Sequence, residues 1–319
     1  MLLYNTTKWM MRNGLRLFFR KLHIDGLEHV PEKGPVLLVA NHPNAFLDAL
    51  LIASFTKRPI HFLARGDAFR IPVLGAIFRS YNMLPVYRIS EGKENLSKNT
   101  STFDASQVQL QQQGMVLIFG EGRCEQNWDL RPLKKGPARI AERAWNDPQS
   151  ENLVVIPIGL TYEHFEGGGK SMVMRFGKPI TKSDNGNNVS GAAFVKWLNG
   201  KLREQFNTIA YVNPKLQPQS AGHDTLMQNW KHAEEHNLNI LTTLHQPPTG
   251  IKPISASWLP SAFHKGLVTL PHYWMMQRIS KLFTAGTIFY DSIFFALLVL
   301  LLPFYIGTIV YLIAMFLSA

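Results

Sequence analysis

The sequence predicts an α/β fold with a mostly parallel central sheet flanked by helices. Two observations carry the prediction. Short apolar runs rich in β-branched residues recur between residues 35 and 180, and segments that read as helices separate them. Strands alternating with helices need crossover connections, and crossovers make neighbouring strands parallel.

The elements follow in order. Residues 2–22 interleave Lys8, Arg12, Arg16, Arg20 and Lys21 with Trp9, Met10, Leu15, Phe18 and Phe19, the pattern of an amphipathic helix. Such a helix either packs on its own domain or lies in a lipid interface, with aromatics at the boundary and cations among headgroups. PVLLVAN (35–41) reads as a buried strand, and His42 and Pro43 turn the chain into the helix AFLDALLIASF (45–55). A short strand at 60–63 precedes a helical stretch at 67–81 that Pro72 interrupts, and residues 82–88 are again strand-like. The polar run 91–107 leads into a helix near 103–113. A strand at 115–122 ends in a glycine turn; a helix (135–145), strands at 153–163 and 171–180, and a helix at 191–209 complete the pattern.

Beyond residue 212 the composition shifts. Residues 222–245 read as a polar helix, 246–260 as a Pro-containing loop and 271–283 as an amphipathic aromatic helix. Residues 292–317 carry no charge, and about 20 apolar residues cross a bilayer core. Pro303 and Gly307 interrupt the run, so it predicts a kinked span or a re-entrant hairpin. The expected division is an interfacial helix (1–22), a main domain (23–212), a helical extension (213–284) and a membrane segment (285–319). Arg278 and Lys281 precede the apolar run and no Lys or Arg follows it, so a span would leave the main domain on the cytoplasmic side.

The composition agrees with membrane contact. Of 319 residues, 46% are hydrophobic and 17% charged, below the roughly 25% charge of an ordinary soluble protein. The net charge of +11 suits an anionic surface or a phosphorylated substrate. No nucleic-acid motif accompanies it, so no nucleic-acid partner is expected. Cys124 is the single cysteine, which excludes an internal disulfide and a multi-cysteine metal site. Charges interrupt the N-terminal apolar residues, so no cleavable signal peptide is expected. His232 and His236 are four apart on a predicted helix without a third ligand, and no metal is expected there.

Among the 11 histidines, His42 stands out because it follows a buried strand, where ligands bind in open α/β sheets. Asp48 lies six residues on, just inside the next helix. A carboxylate there can fold back and hold one ring nitrogen, leaving the other to take a proton from a hydroxyl. The solvated or structural histidine is the competing reading. Phe119-Gly120-Glu121-Gly122-Arg123 closes another strand, and its glycines admit close backbone approach; alone it equally describes a plain turn. Arg88 could grip phosphate through its fork of donors or be a surface cation. Arg131, Lys134 and Lys135 sit beside a helix start, a natural anion site.

Taken together, NHPNAFLDA, FLARGDAF, LPVYR, IFGEG and VVIPIGL occur in the order found in glycerolphosphate and lysophosphatidate acyltransferases, and the sequence resembles that family over roughly residues 20–210. The resemblance implies that His42 and Asp48 are the catalytic pair. It implies that Arg88 binds glycerol phosphate, that Glu121 and Gly122 contact the acceptor, and that Asn41 of the first block contributes to substrate binding. Val155, Ile156 and Pro157 map to the block near the acyl donor. Three departures stand out. Five residues rather than four separate His42 from Asp48, so the pair requires a bulged turn. Gly120 replaces the usual proline. Cys124 stands where an arginine is common, leaving Arg123 or Arg131 to meet the phosphate. The implied reaction moves a fatty acyl group from an acyl-CoA or acyl carrier protein thioester to a glycerol-phosphate-type acceptor in the bilayer, with no cofactor. The expected acceptor is 1-acylglycerol-3-phosphate; the alternatives are an O-acyltransferase of glycerol-3-phosphate or of another lysolipid or amino-lipid, a hydrolase using the same pair on water, and a non-catalytic lipid-binding scaffold. No Gly-x-Ser-x-Gly elbow is present to support a serine esterase.

Overall fold

A computed structural model describes residues 2–69, 72–86, 98–186, 188–213, 216, 220–235, 238–245, 254–255, 271–284, 290–297, 307 and 315. The strands are β1 (Lys21–Asp25), β2 (Val36–Ala40), β3 (Ile60–Arg65), β4 (Met83–Val86), β5 (Met115–Phe119), β6 (Val154–Tyr162), β7 (Ser171–Phe176) and β8 (Ile254–Ser255). The helices are α1 (Leu2–Phe18), α2 (Ala45–Phe55), α3 (Pro72–Ser80), α4 (Lys98–Gln111), α5 (Gly136–Trp145), α6 (Gly191–Ile209), α7 (Ala221–Glu235), α8 (Ile240–His245) and α9 (Pro271–Thr284). Residues 290–297 are also helical.

The described strands form one sheet in the order β4-β3-β5-β2-β6-β7-β1-β8. Pairing is parallel from β4 to β6 and again between β7 and β1. It is antiparallel between β6 and β7 and between β1 and β8. The predicted class is therefore the observed one, with the strand direction reversing at β7 and again at β8.

Strand β2 is the axis of the molecule. Its alternate side chains point to opposite faces. Val36, Leu38 and Ala40 join the core shared with α1 and α2, while Leu37 and Val39 join the core shared with α5 and α6. All five are fully buried, which explains an unbroken apolar run where a half-exposed strand would alternate. Strand β6 is built alike. Ile156, Ile158, Leu160 and Tyr162 face the α2 side and Val155 the other.

The helix predicted at 67–81 begins at Pro72, the helix predicted near 103–113 begins at Lys98, the strand predicted at 115–122 ends at Phe119, and four further elements change more. The N-terminal helix ends at Phe18, and residues 21–25 are strand β1. Its hydrogen bonds to β7 and the burial of Leu22 and Ile24 outweigh the helical spacing of Leu15, Phe18 and Leu22. The strand predicted over 171–180 ends at Phe176. The predicted helix 222–245 is the pair α7 and α8. Strand β8, drawn from the predicted loop, edges the sheet beside β1.

Helix α1 is a packed helix on one side. Leu15 and Phe18 are buried, each worth about 1.5–3 kcal/mol, and the Arg12 guanidinium lies 5.3 Å from the Phe55 ring centre. Its other side leaves Trp9 68% exposed. Among the described residues no helix is long and apolar enough to cross a membrane. Most of the predicted segment 292–317 lies outside the described residues, as does His236.

Candidate active site

Three neighbouring strands, β5, β2 and β6, end at one place. Ala40 of β2 pairs with Phe119 of β5 on one side and Ile158 of β6 on the other. The residues that follow Ala40 and Phe119, together with Tyr162 at the end of the longer β6, therefore meet. That junction holds His42.

The His42 Nδ1 lies 2.9 Å from Asp48 Oδ2. Asp48 is fully buried while the imidazole keeps 16% of its surface. Two more donors reach the carboxylate: the Asn44 N–H at 2.7 Å on Oδ2 and the Tyr162 hydroxyl at 2.6 Å on Oδ1. Three donors meet a group that has only acceptors when ionised, so its burial is compensated. With Asp48 accepting, the Nδ1 of His42 carries the proton and the Nε2 lone pair is free. Nε2 makes no hydrogen bond within the described residues. The ring plane is set by Phe119, stacked at 3.7 Å between centroids and tilted by 10°. Burial, and then the Asp48 charge, raise the Tyr162 hydroxyl well above its ordinary range, so it remains a donor. Tyr162→Phe is expected to lower kcat about 10-fold, the rate equivalent of roughly 1.4 kcal/mol, and to cost about 1–2 kcal/mol of stability. Steady-state kinetics and denaturant unfolding check both.

The extra residue between His42 and Asp48 is absorbed by a left-handed turn. Ala45 has φ of +46°, a conformation that costs a residue with a β-carbon about 1–2 kcal/mol. The strain persists because neighbours satisfy the turn's amides. The Ala45 N–H reaches Cys124 Sγ at 2.9 Å and the Leu47 N–H reaches Ser292 Oγ at 3.2 Å. Burial, with the Asp48 charge next, pushes the Cys124 thiol up to about 12.

The loop after β5 pins His42 from the far side. The His42 N–H donates to Glu121 Oε1 at 3.0 Å, and the Glu125 N–H donates to the His42 carbonyl at 3.2 Å. Glu121 Oε2 accepts from Arg131 Nε at 2.7 Å, and Arg131 Nη1 reaches Glu125 at 2.7 Å. The loop's tightness needs glycine at 122, where φ is +70°. A β-carbon at Gly120 would come within 2.9 Å of Leu133 Cδ2 and 3.2 Å of Val39 Cγ1, so a larger residue there would need those side chains to shift.

The predicted site residues thus divide. His42, Asp48, Glu121, Gly122 and Arg131 come together. Glu121 and Arg131 are nearly buried and bonded to the protein, so they brace the histidine loop. Both ends of the Asn41 amide bind the main chain of β6, donating to the Leu160 carbonyl at 2.9 Å and accepting from its N–H at 2.7 Å. Arg123 is exposed and 3.2 Å from Glu125. Lys135 lies exposed at the start of α5. Val155, Ile156 and Pro157 lie within β6, paired with β2. Arg88 lies outside the described residues. Sequence reasoning missed Tyr162, Asn44 and Ser292; only the polar tip closing the apolar strand VVIPIGLTY signals Tyr162.

A family model described as Acyltransferase matches residues 21–161. An uncharacterized acyltransferase of Schizosaccharomyces pombe is 30% identical over 263 residues, covering 56% of this chain and 39% of that protein. The chloroplastic 1-acyl-sn-glycerol-3-phosphate acyltransferase of Arabidopsis thaliana is 26% identical over 155 residues, 48% of this chain and 38% of the relative. The 1-acyl-sn-glycerol-3-phosphate acyltransferase of Borreliella burgdorferi is 25% identical over 122 residues, 38% of this chain and 46% of the relative. The chain spans less than half the length of each of these three relatives. A solved 1-acyl-sn-glycerophosphate acyltransferase from Thermotoga maritima superposes with a TM-score of 0.47 at 16% identity, over 65% of this chain and 78% of that one.

Proposed function

From a chain whose residues 21–161 match the Acyltransferase family model and which is similar to 1-acyl-sn-glycerol-3-phosphate acyltransferases, we propose one activity: transfer of a fatty acyl group from a thioester to a free hydroxyl of 1-acylglycerol-3-phosphate. The observation that carries it is the partly exposed imidazole of His42, whose Nε2 makes no hydrogen bond among the described residues while Nδ1 is held at 2.9 Å by a buried carboxylate.

The acceptor hydroxyl gives its proton to Nε2 as its oxygen attacks the thioester carbonyl. Asp48 stabilises the imidazolium that forms. The tetrahedral intermediate collapses, the carbon–sulfur bond breaks, and the departing thiolate takes the proton back from Nε2. The ester and the thiol leave, and the enzyme is unchanged. General-base help of this kind supplies about 10²–10⁴-fold; positioning supplies more.

The donor is an acyl-CoA or an acyl carrier protein thioester. Arg88, Arg123 and Lys135 are the cations proposed to meet the acceptor phosphate. Membrane association is part of the same reading. The exposed Trp9 and Met10 of α1, with its cations, suit a lipid interface. The uncharged segment 292–317 suits a span or hairpin that leaves the site on the cytoplasmic side.

The test offers the full chain a labelled acyl thioester and a panel of acceptors: 1-acylglycerol-3-phosphate, glycerol-3-phosphate, other lysolipids and water alone. Label in diacylglycerol phosphate, well above release of free fatty acid, is the expected result. Label recovered only as free fatty acid with every acceptor would assign the His42 pair to hydrolysis.

A further inference from the structure

The family match ends at residue 161, yet the turn that holds the catalytic pair is completed by residues 130 positions further on. Asp291 is fully buried at the start of the C-terminal apolar segment. One of its oxygens, Oδ2, accepts from the Asn44 side chain at 2.9 Å, and the other accepts from the Gly167 N–H at 2.7 Å. Asn44 is itself fully buried, and its backbone N–H is the donor that meets Asp48. The next residue, Ser292, accepts the Leu47 N–H.

The counter-charge is Lys170, also fully buried, whose ammonium contacts Asp291 and donates to the Phe165 carbonyl at 2.7 Å. That ammonium lies 5.3 Å from the ring centre of Tyr162, whose hydroxyl also donates to Asp48. Packing seats the segment: Phe294 and Phe295 lie edge-on to Phe18 at 5.7 and 5.6 Å. A buried ion pair adds little net stability over apolar side chains of the same volume, but it tolerates few geometries. Here it fixes the residue whose amide orients the catalytic carboxylate, across a turn strained at Ala45.

We infer that Asp291, with Lys170 as its counter-charge and Ser292 beside it, is a positioning residue for the His42–Asp48 pair, acting through the Asn44–Leu47 turn. Residues 291 and 292 thereby form part of the support of the active site. This rests on the acyl-transfer reading, but it can be measured apart from turnover.

The test is the double variant Lys170→Met with Asp291→Asn in the full chain, which removes both charges together. Three measurements are made: thermal melting, steady-state acyl transfer, and ¹⁵N spectra of the histidine rings. The expected result is a kcat 10- to 100-fold lower, a donor KM within 2-fold of the parent, and a His42 signal that departs from its Nδ1-protonated form. Leu198→Ala, in the opposite core, serves as a control for lost stability. A double variant that melts normally with unchanged kcat and unchanged His42 signals overturns the inference. So does an equal kcat loss in Leu198→Ala at a matched melting temperature. If the double variant does not fold, Ser292→Ala decides: a kcat 3- to 10-fold lower supports the inference, and parental kcat overturns it. A parent chain that fails to transfer acyl groups but shows the His42 shift on substitution sinks the proposed reaction while leaving the positioning intact.

Discussion

Alanine at position 42 is expected to lower kcat by about 10²–10⁴-fold, the range general-base help typically supplies, while the folded state survives. The imidazole contributes one hydrogen bond to Asp48 and a stack on Phe119. Its removal leaves Asp48 with the donors from Asn44 and Tyr162. The backbone bonds to Glu121 and Glu125 do not depend on the side chain. Melting within a few degrees of the parent, combined with a donor KM near the parent value, is the signature of a lost transition-state contact. Unaltered turnover in the folded variant would remove His42 from the reaction.

The second large effect falls on Glu121. The family resemblance implies an acceptor contact, whereas its carboxylate is turned inward, bridging the His42 N–H and the Arg131 guanidinium. Glu121→Ala leaves a nearly buried guanidinium without its main partner and a backbone donor without an acceptor. A destabilisation of about 3 kcal/mol is expected, softened by the remaining contact of Arg131 with Glu125. The variant also loosens His42, so kcat falls along with stability. Glu121→Gln keeps an acceptor for the His42 amide and costs less. Denaturant unfolding and acceptor-dependence curves separate the two roles. A folded, stable Glu121→Ala with only a raised acceptor KM would restore the acceptor-contact role and refute the bracing one.

Much of the site can be read from local pattern because it sits at strand ends. β2 and α2 are contiguous in the chain, so a histidine and an aspartate either side of their junction are near neighbours in any α/β fold. The helix 45–55 was predicted with the bounds it has, since an apolar run of that length after a Pro-containing turn has few other solutions. The strand β1 was hidden for a physical reason. Leu15, Phe18 and Leu22 keep a helical period, and only the open edge of β7, 150 residues away, pulls KLHID into the sheet. Tyr162, Lys170 and Asp291 were illegible for the same reason. What they touch is decided by strand order and by contacts up to 247 residues long, which no periodicity records. The bulge at Ala45 was foreseeable from the residue count, but the sulfur that receives its amide was not.

That sulfur has a chemical consequence. An enzyme that handles thioesters risks losing acyl groups to its own thiols, because a thiolate exchanges readily with a thioester while a thiol does not. Cys124 is the chain's single cysteine and sits against the turn that follows His42. Pushed up to about 12 by burial and the Asp48 charge, it stays a thiol at neutral pH. Its hydrogen bond to Ala45 also occupies the sulfur with a structural duty. In the proposed reaction a thioester donor would therefore meet the His42 imidazole without a competing thiolate from this chain.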